Sequence, residues 1–344
     1  MTSGTLQASH LASFERVFRL CGVGTDDVCA VLTESAARED LPALAELALS
    51  RLGAKVFRVT LPSRLGHPHI PIRSTGASQA IDGIAPVVQA LAHCTLVADC
   101  TVEGLQHAPE LPDILKGGTR VLAISHEHPE ILERCEPQAS DEGIAREAMR
   151  RLKQSRRMTV SSSAGTDLQI DLQGARVGGV WGFTTRPGSL SHWPGGLVLA
   201  FPAAGSVHGT LVLDRGDVNL TFKRYLDEAV TLKIENDHVV EVLGAGYDAE
   251  MMRGYFSAWK DTSAYAVSHV GWGLNRAARW DAMAFYDKGD FNGTELRAFA
   301  GNFLYSTGAN EVAGRHTAGH FDLPVRGCTV CLDGDPVVKN GELL

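Results

Sequence analysis

Long apolar runs are absent from this 344-residue chain. No stretch of about 18 uninterrupted apolar residues occurs, so no membrane-spanning helix is expected. Basic charge is also scarce: 32 Lys and Arg stand against 40 Asp and Glu, a formal net charge of −8. The one basic cluster, Arg150-Arg151-Leu152-Lys153-Gln154-Ser155-Arg156-Arg157, is short. It suits the C-terminal end of a helix better than a phosphate-binding surface, so no nucleic-acid partner is expected. Residues 1–10 hold no basic segment followed by an apolar run, which argues against a secretory signal. The seven cysteines are odd in number and scattered, pointing to reduced thiols in the cytoplasm. The single Cys-x-x-Cys, Cys328 to Cys331, lies in a strand-like run where a spacing of three turns the thiols to opposite faces. That segment offers no second ligand pair for a structural zinc. Gly22-Val-Gly24 precedes a strand pattern rather than following one, so a dinucleotide site is unsupported.

What is present is an ordinary globular composition, 44% hydrophobic and 21% charged, in a chain long enough for two domains. Helical spacing over 11–20, 41–52, 84–93, 111–115 and 141–154 alternates with strand-like runs at 26–33, 54–61, 95–100 and 119–125. That alternation implies a mostly parallel sheet covered on both faces. After Arg157 the pattern changes to strand-like runs broken by glycine and proline, at 158–163, 167–172, 197–201, 209–213, 219–222, 229–234 and 238–243. Helical patterns at 248–260 and 294–300 interrupt them. The expected fold class is α/β: an N-terminal mostly parallel domain over 1–155, then a strand-rich α+β metal-binding domain over 156–344.

The metal expectation starts from His320-Phe321-Asp322. If that segment is extended, the two-residue side-chain period puts imidazole and carboxylate on one face. His269, far back in sequence, could join them through strand pairing. Two imidazoles and a carboxylate are the set that leaves open positions on non-haem Fe(II). The spacing alone carries little weight, because chance supplies on the order of one or two His-x-acid matches in such a composition, and two occur, at His128 and His320. His126-Glu-His128-Pro-Glu130 follows a strand pattern and opens a helix, where cap and first-turn preferences explain it. His67 and His69 read as members of a proline-stiffened surface loop. His107 follows the strand at 95–100, on the side where open α/β sheets put their ligands. His192 sits in the turn-rich Gly188-Ser-Leu-Ser-His192-Trp193-Pro194-Gly195-Gly196. Spacing alone leaves both open between loop surface and function.

Several strings, in order and across nearly the whole chain, match a known pattern: His192-Trp-Pro-x-Gly196, Gly209-Thr-Leu-Val-Leu-Asp214, Ser268-His-Val-Gly-Trp-Gly-Leu274, Gly301-Asn-Phe-Leu-Tyr-Ser-Thr-Gly308 and His320-Phe-Asp322. Together they resemble the 2,5-dihydroxypyridine 5,6-dioxygenases, Fe(II) ring-cleaving enzymes of nicotinate and nicotine breakdown on a fold like that of aminopeptidase T. The resemblance implies that His269, Ser306, His320 and Asp322 hold iron. It also implies that His107 and His192 bind substrate and move protons, with a hydroxypyridine and O2 as partners in a homo-oligomer. Trp193 and Phe183 are candidate platforms for the ring, with core packing the competing role. Gln106, Val180-Trp181 and His208 depart from the pattern, which bears on the pyridine accepted. The other readings are a metallo-aminopeptidase, which usually needs a second metal and a bridging carboxylate, with Glu311 and Glu228 as distant candidates, and a catalytically silent ligand-binding protein on the same fold.

Overall fold

The computed structural model describes residues 6–64 and 76–344; His67 and His69 lie outside them. Four strands of the first half form a parallel sheet, β1 (Val28–Glu34), β2 (Lys55–Leu61), β3 (Leu96–Asp99) and β4 (Arg120–Ala123), with the partly exposed β2 at its edge. Six of the seven residues of β1 are buried, as are all of β3 and β4, the pattern of strands covered on both faces. The sheet order is β2, β1, β3, β4, and then a fifth strand, Leu190–His192, parallel to β4 with Ala123 opposite His192. This three-residue strand was not visible as a pattern in the sequence. It brings the chain back to the first sheet well beyond residue 155.

One core lies between the helices Ala8–Leu20 and Asp40–Arg51 and this sheet, with Phe14, Val17, Phe18, Leu41 and Leu44 at its centre. The second half contains three antiparallel sheets, one of eight strands, one of five and a two-stranded ribbon of Val218–Asn219 with Arg224–Tyr225. The five-stranded sheet runs Arg315–Val325, Phe303–Asn310, Val267–Gly273, Leu197–Phe201, Arg176–Val180 in spatial order. On one face, Val270, Trp272, Phe303, Tyr305, Phe321 and Leu323 pack into the core shared with the eight-stranded sheet. The strand-rich expectation holds, with one contraction: the run expected at 219–222 pairs only over Val218–Asn219. Among the described residues no helix is long and apolar enough to cross a membrane.

Buried carboxylates tie the two halves together. Glu127, just after β4, accepts from the N–H groups of Gly293 (2.8 Å) and Thr294 (2.6 Å) at the start of the short helix Thr294–Ala298, satisfying otherwise orphaned donors. Glu295 on that helix is fully buried; it accepts both N–H···O bonds from Arg134 Nη2 (2.8 and 2.7 Å) and one from the Arg279 amide. Removing one partner of a buried pair leaves an uncompensated charge, so Glu295→Ala should lower unfolding free energy by about 3–5 kcal/mol in urea denaturation. A loss below about 1 kcal/mol would put the pair among weak surface ion pairs.

Candidate metal centre and active site

The face of the five-stranded sheet opposite its apolar core carries the ligand candidates. His269 pairs in register with Ser306, and Ser306 with Asp322, across three adjacent strands. Side chains directly opposite one another in neighbouring strands share a face, so the three form a row. His320 joins them because it lies two residues before Asp322 on the same strand. A donor atom from each of His269, His320 and Asp322 lies within 4.8 Å of the other two. Asp322 Oδ1 is the focus: His320 Nε2 is 3.1 Å away, His269 Nε2 is 3.7 Å away, and the Ser306 hydroxyl donates to it. All four residues are buried.

Electrostatics suits this cluster to a divalent metal. Burial, opposed by Asp322, brings the His269 pKa down to about 3, so its imidazole is neutral and keeps a lone pair for a metal ion. Burial would push Asp322 up, but His320, Arg297 and His269 outweigh it and hold the carboxyl well below its usual range. The tautomer of His269 is fixed by its neighbour. Ser268 Oγ donates to the Ala309 carbonyl (2.6 Å) and lies 3.2 Å from His269 Nδ1. Its proton being committed, the hydroxyl accepts from Nδ1–H and Nε2 is left bare toward Asp322. Outer partners of this kind typically contribute 10–100-fold to metal affinity. Ser268→Ala should therefore weaken binding by about tenfold or more in a chelator-competition titration; unchanged affinity would remove Ser268 from the metal centre.

His107 and His192 come to the same place from the other half, at the carboxyl ends of parallel strands, where such sheets place ligands. His192 ends its strand beside β4, and His107 lies in the loop after β3. The His107 ring centroid is 4.4 Å from that of His320. Its amide donates to Gly76 O (2.8 Å), and a Cβ on Gly76, whose φ is +61°, would stand 2.9 Å from the imidazole. The surrounding protein and the rings of His320 and His269 hold the His107 pKa well below the usual histidine value, an effect weakened by the solvent its exposed side chain meets. His192 Nδ1 donates to Pro194 O at 2.6 Å, which leaves Nε2 as the acceptor. Burial lowers its pKa to about 4, so the ring is neutral near pH 7.

Two expected ring platforms are placed elsewhere. Trp193, 1% exposed, packs edge-on to Phe14 and donates its indole N–H to Cys135 O; Phe183, 4% exposed, lies in the same core. Both are packing residues because their apolar surface is already spent on the first core. The aromatic ring beside the cluster is Phe201, 5.3 Å from His269 between centroids, on the same sheet face by strand parity. His126 and His128 have the structural roles expected. His126 accepts from the Arg38 amide and donates to Gly289 O, while His128 Nδ1 accepts from Glu130 N at a helix start. Cys328 is buried and Cys331 half-buried on alternating positions of one strand. Glu311 and Glu228 are exposed and do not join the ligand group.

Arg297 was missed in the sequence. Its Nε donates to Asp322 Oδ2 at 2.5 Å, and it sits on the helix Thr294–Ala298, which lies directly on the ligand sheet. That close approach requires Gly273: a Cβ there would be 2.0 Å from Phe299 O and 2.5 Å from Ala298 O. A short, poorly periodic helix gives no spacing signal for its one arginine; only the Gly-Trp-Gly string hints at a close contact.

A parallel α/β half that delivers two histidines to a donor cluster on an antiparallel sheet defines the class, an α/β protein with a candidate metal centre between its halves. The fold, without regard to the site, is shared with wild-type AmpT from Thermus thermophilus, at a TM-score of 0.63 and 15% identity over 98% of this chain and 99% of that one. The family model for 2,5-dihydroxypyridine 5,6-dioxygenase matches residues 9–344. A 2,5-dihydroxypyridine 5,6-dioxygenase from Pseudomonas putida strain KT2440 is 38% identical over 336 residues, 96% of this chain and 95% of the relative. The solved structure of 2,5-dihydroxypyridine dioxygenase from that strain superposes with a TM-score of 0.92 at 36% identity, over 99% of this chain and 98% of that one. The chain belongs to the 2,5-dihydroxypyridine 5,6-dioxygenase family, and with it to the oxidoreductases.

Proposed function

We propose that this protein is an Fe(II)-dependent extradiol-type dioxygenase that opens the ring of 2,5-dihydroxypyridine, or a close hydroxypyridine, with O2 to N-formylmaleamate in the breakdown of nicotinate. The observation that carries this reading is the convergence of two imidazoles and one carboxylate within 4.8 Å, with the Ser306 hydroxyl on the same carboxylate. His269, His320, Asp322 and Ser306 would hold the ion. Fe(II) bound there supplies a redox-active Lewis acid with room for both the ring oxygen and O2.

The chain's own groups supply the rest. His192 presents a bare, neutral Nε2, held in orientation by Pro194 O, and accepts the proton of a ring hydroxyl as the substrate binds. The same nitrogen returns that proton to oxygen during ring opening. His107, packed on His320, fixes the ring's edge from the side opposite the sheet, and Phe201 closes the wall beside His269. Holding ring and oxygen together removes much of the encounter entropy that otherwise separates them. The seven free cysteines, six of them buried, fit a reducing compartment, and we place the protein in the cytoplasm.

The aminopeptidase alternative is tested beside it. Protein loaded anaerobically with Fe(II) or Zn(II) is given 2,5-dihydroxypyridine, isomeric pyridinediols and leucine amide. The expected result is loss of the pyridine absorbance with Fe(II) alone and no amide hydrolysis. Leucine amide hydrolysis with zinc, and no pyridine turnover with iron, would overturn the proposal.

A further inference from the structure

We propose that Arg297 is a positioning residue that restricts Asp322 to a single ligating oxygen and so keeps one coordination position free for a reactant. The inference rests on the metal-site reading above. A carboxylate can bind an ion through one oxygen or through both. In this protein the two oxygens of Asp322 face different partners: Oδ1 meets His320, His269 and Ser306, while Oδ2 takes the Arg297 Nε–H at 2.5 Å. A charge-assisted bond of this length is among the stronger hydrogen bonds in proteins, and rotating Oδ2 toward the ligand atoms would break it. The arginine itself cannot easily follow. Its Nη1 donates to Asn292 Oδ1 (3.1 Å), and Asn292 Nδ2 donates to Val102 O (3.2 Å) in the loop leading to His107. The helix beneath it is fixed by Glu127 and by its contact with Gly273. The guanidinium is largely buried, with 15% of its side chain exposed against 7% for Asp322, so this pair is not a solvent-screened surface bridge.

A neutral probe reads whether a position is open, since an anion would also respond to the lost charge. Wild type, Arg297→Met, Arg297→Gln and Arg297→Lys are loaded with Fe(II) without oxygen and titrated with nitric oxide by electron paramagnetic resonance. In parallel they are loaded with Co(II), whose visible absorptivity falls as coordination number rises. Asp322→Ala serves as the control for the site.

The Met and Gln variants should load metal, bind nitric oxide about tenfold or more weakly and show lower cobalt absorptivity, as Oδ2 swings in. The lysine variant, which keeps a cation for Oδ2, should recover most of both signals. Wild-type nitric oxide binding and cobalt absorptivity in either neutral variant would overturn the role. So would failure of both neutral variants to take up metal while the wild type loads, because the arginine would then be needed to hold the ion at all. If the wild type takes up no metal, or Asp322→Ala loads as well as wild type, the site reading itself fails, a result distinct from the others.

Discussion

Asp322→Ala should take up no iron and have no measurable turnover. Its Oδ1 is the one atom that His320, His269 and Ser306 all approach, and its charge is the only formal negative charge in the ligand set. Partners that merely support a ligand contribute 10–100-fold to metal affinity, so removal of the charged ligand should weaken binding by more than about 100-fold. The substitution also leaves Arg297 buried without its anion, a change that can cost about 3–5 kcal/mol of stability. Asp322→Asn is the companion variant, since it preserves volume and an oxygen for Arg297 while removing the charge. Metal analysis after anaerobic reconstitution, with circular dichroism to confirm folding, reads both. A full complement of iron in folded Asp322→Ala and Asp322→Asn would reject Asp322 as a ligand.

The second large effect belongs to His192. His192→Ala should keep its iron and lose turnover by about 10²–10⁴-fold, the usual contribution of a positioned general acid–base group. The argument is geometric. Its Nδ1 is committed to Pro194 O, so Nε2 must be an acceptor, and its lowered pKa keeps that nitrogen unprotonated near neutrality. Because it lies on the parallel sheet while the ligands lie on the antiparallel one, its loss leaves the donor row in place. Single-turnover kinetics with iron quantification separates the two functions. Loss of iron, or turnover within a few fold of wild type, would remove His192 from proton transfer.

These two residues also mark how far the sequence could be read. His320-Phe-Asp322 declared its shared face, because a period of two is local. The row that completes the cluster is less local: the register of His269 with Ser306 joins two strands far apart in sequence, and that of Ser306 with Asp322 spans 16 residues across the next antiparallel pair. No spacing rule specifies them, and the family resemblance was needed to bring in Ser306. His107 was suggested by its place after a strand. The three-residue strand that His192 ends is too short to show a pattern, and its pairing beside β4 leaves no trace in the sequence. For Trp193 and Phe183 the sequence leaves ring platform and core packing open, since an aromatic side chain serves either, and tertiary packing draws both into the first core. Arg297 gave no signal, since its importance comes entirely from where a five-residue helix is laid down.

Oxygen consumption measured against 2,5-dihydroxypyridine, on protein carrying a known iron content, tests the central claim most directly. The account expects one O2 used per ring opened, activity proportional to bound Fe(II), and none in the metal-free chain until iron is restored. Iron-loaded, folded protein that leaves both oxygen and the pyridine untouched would contradict it.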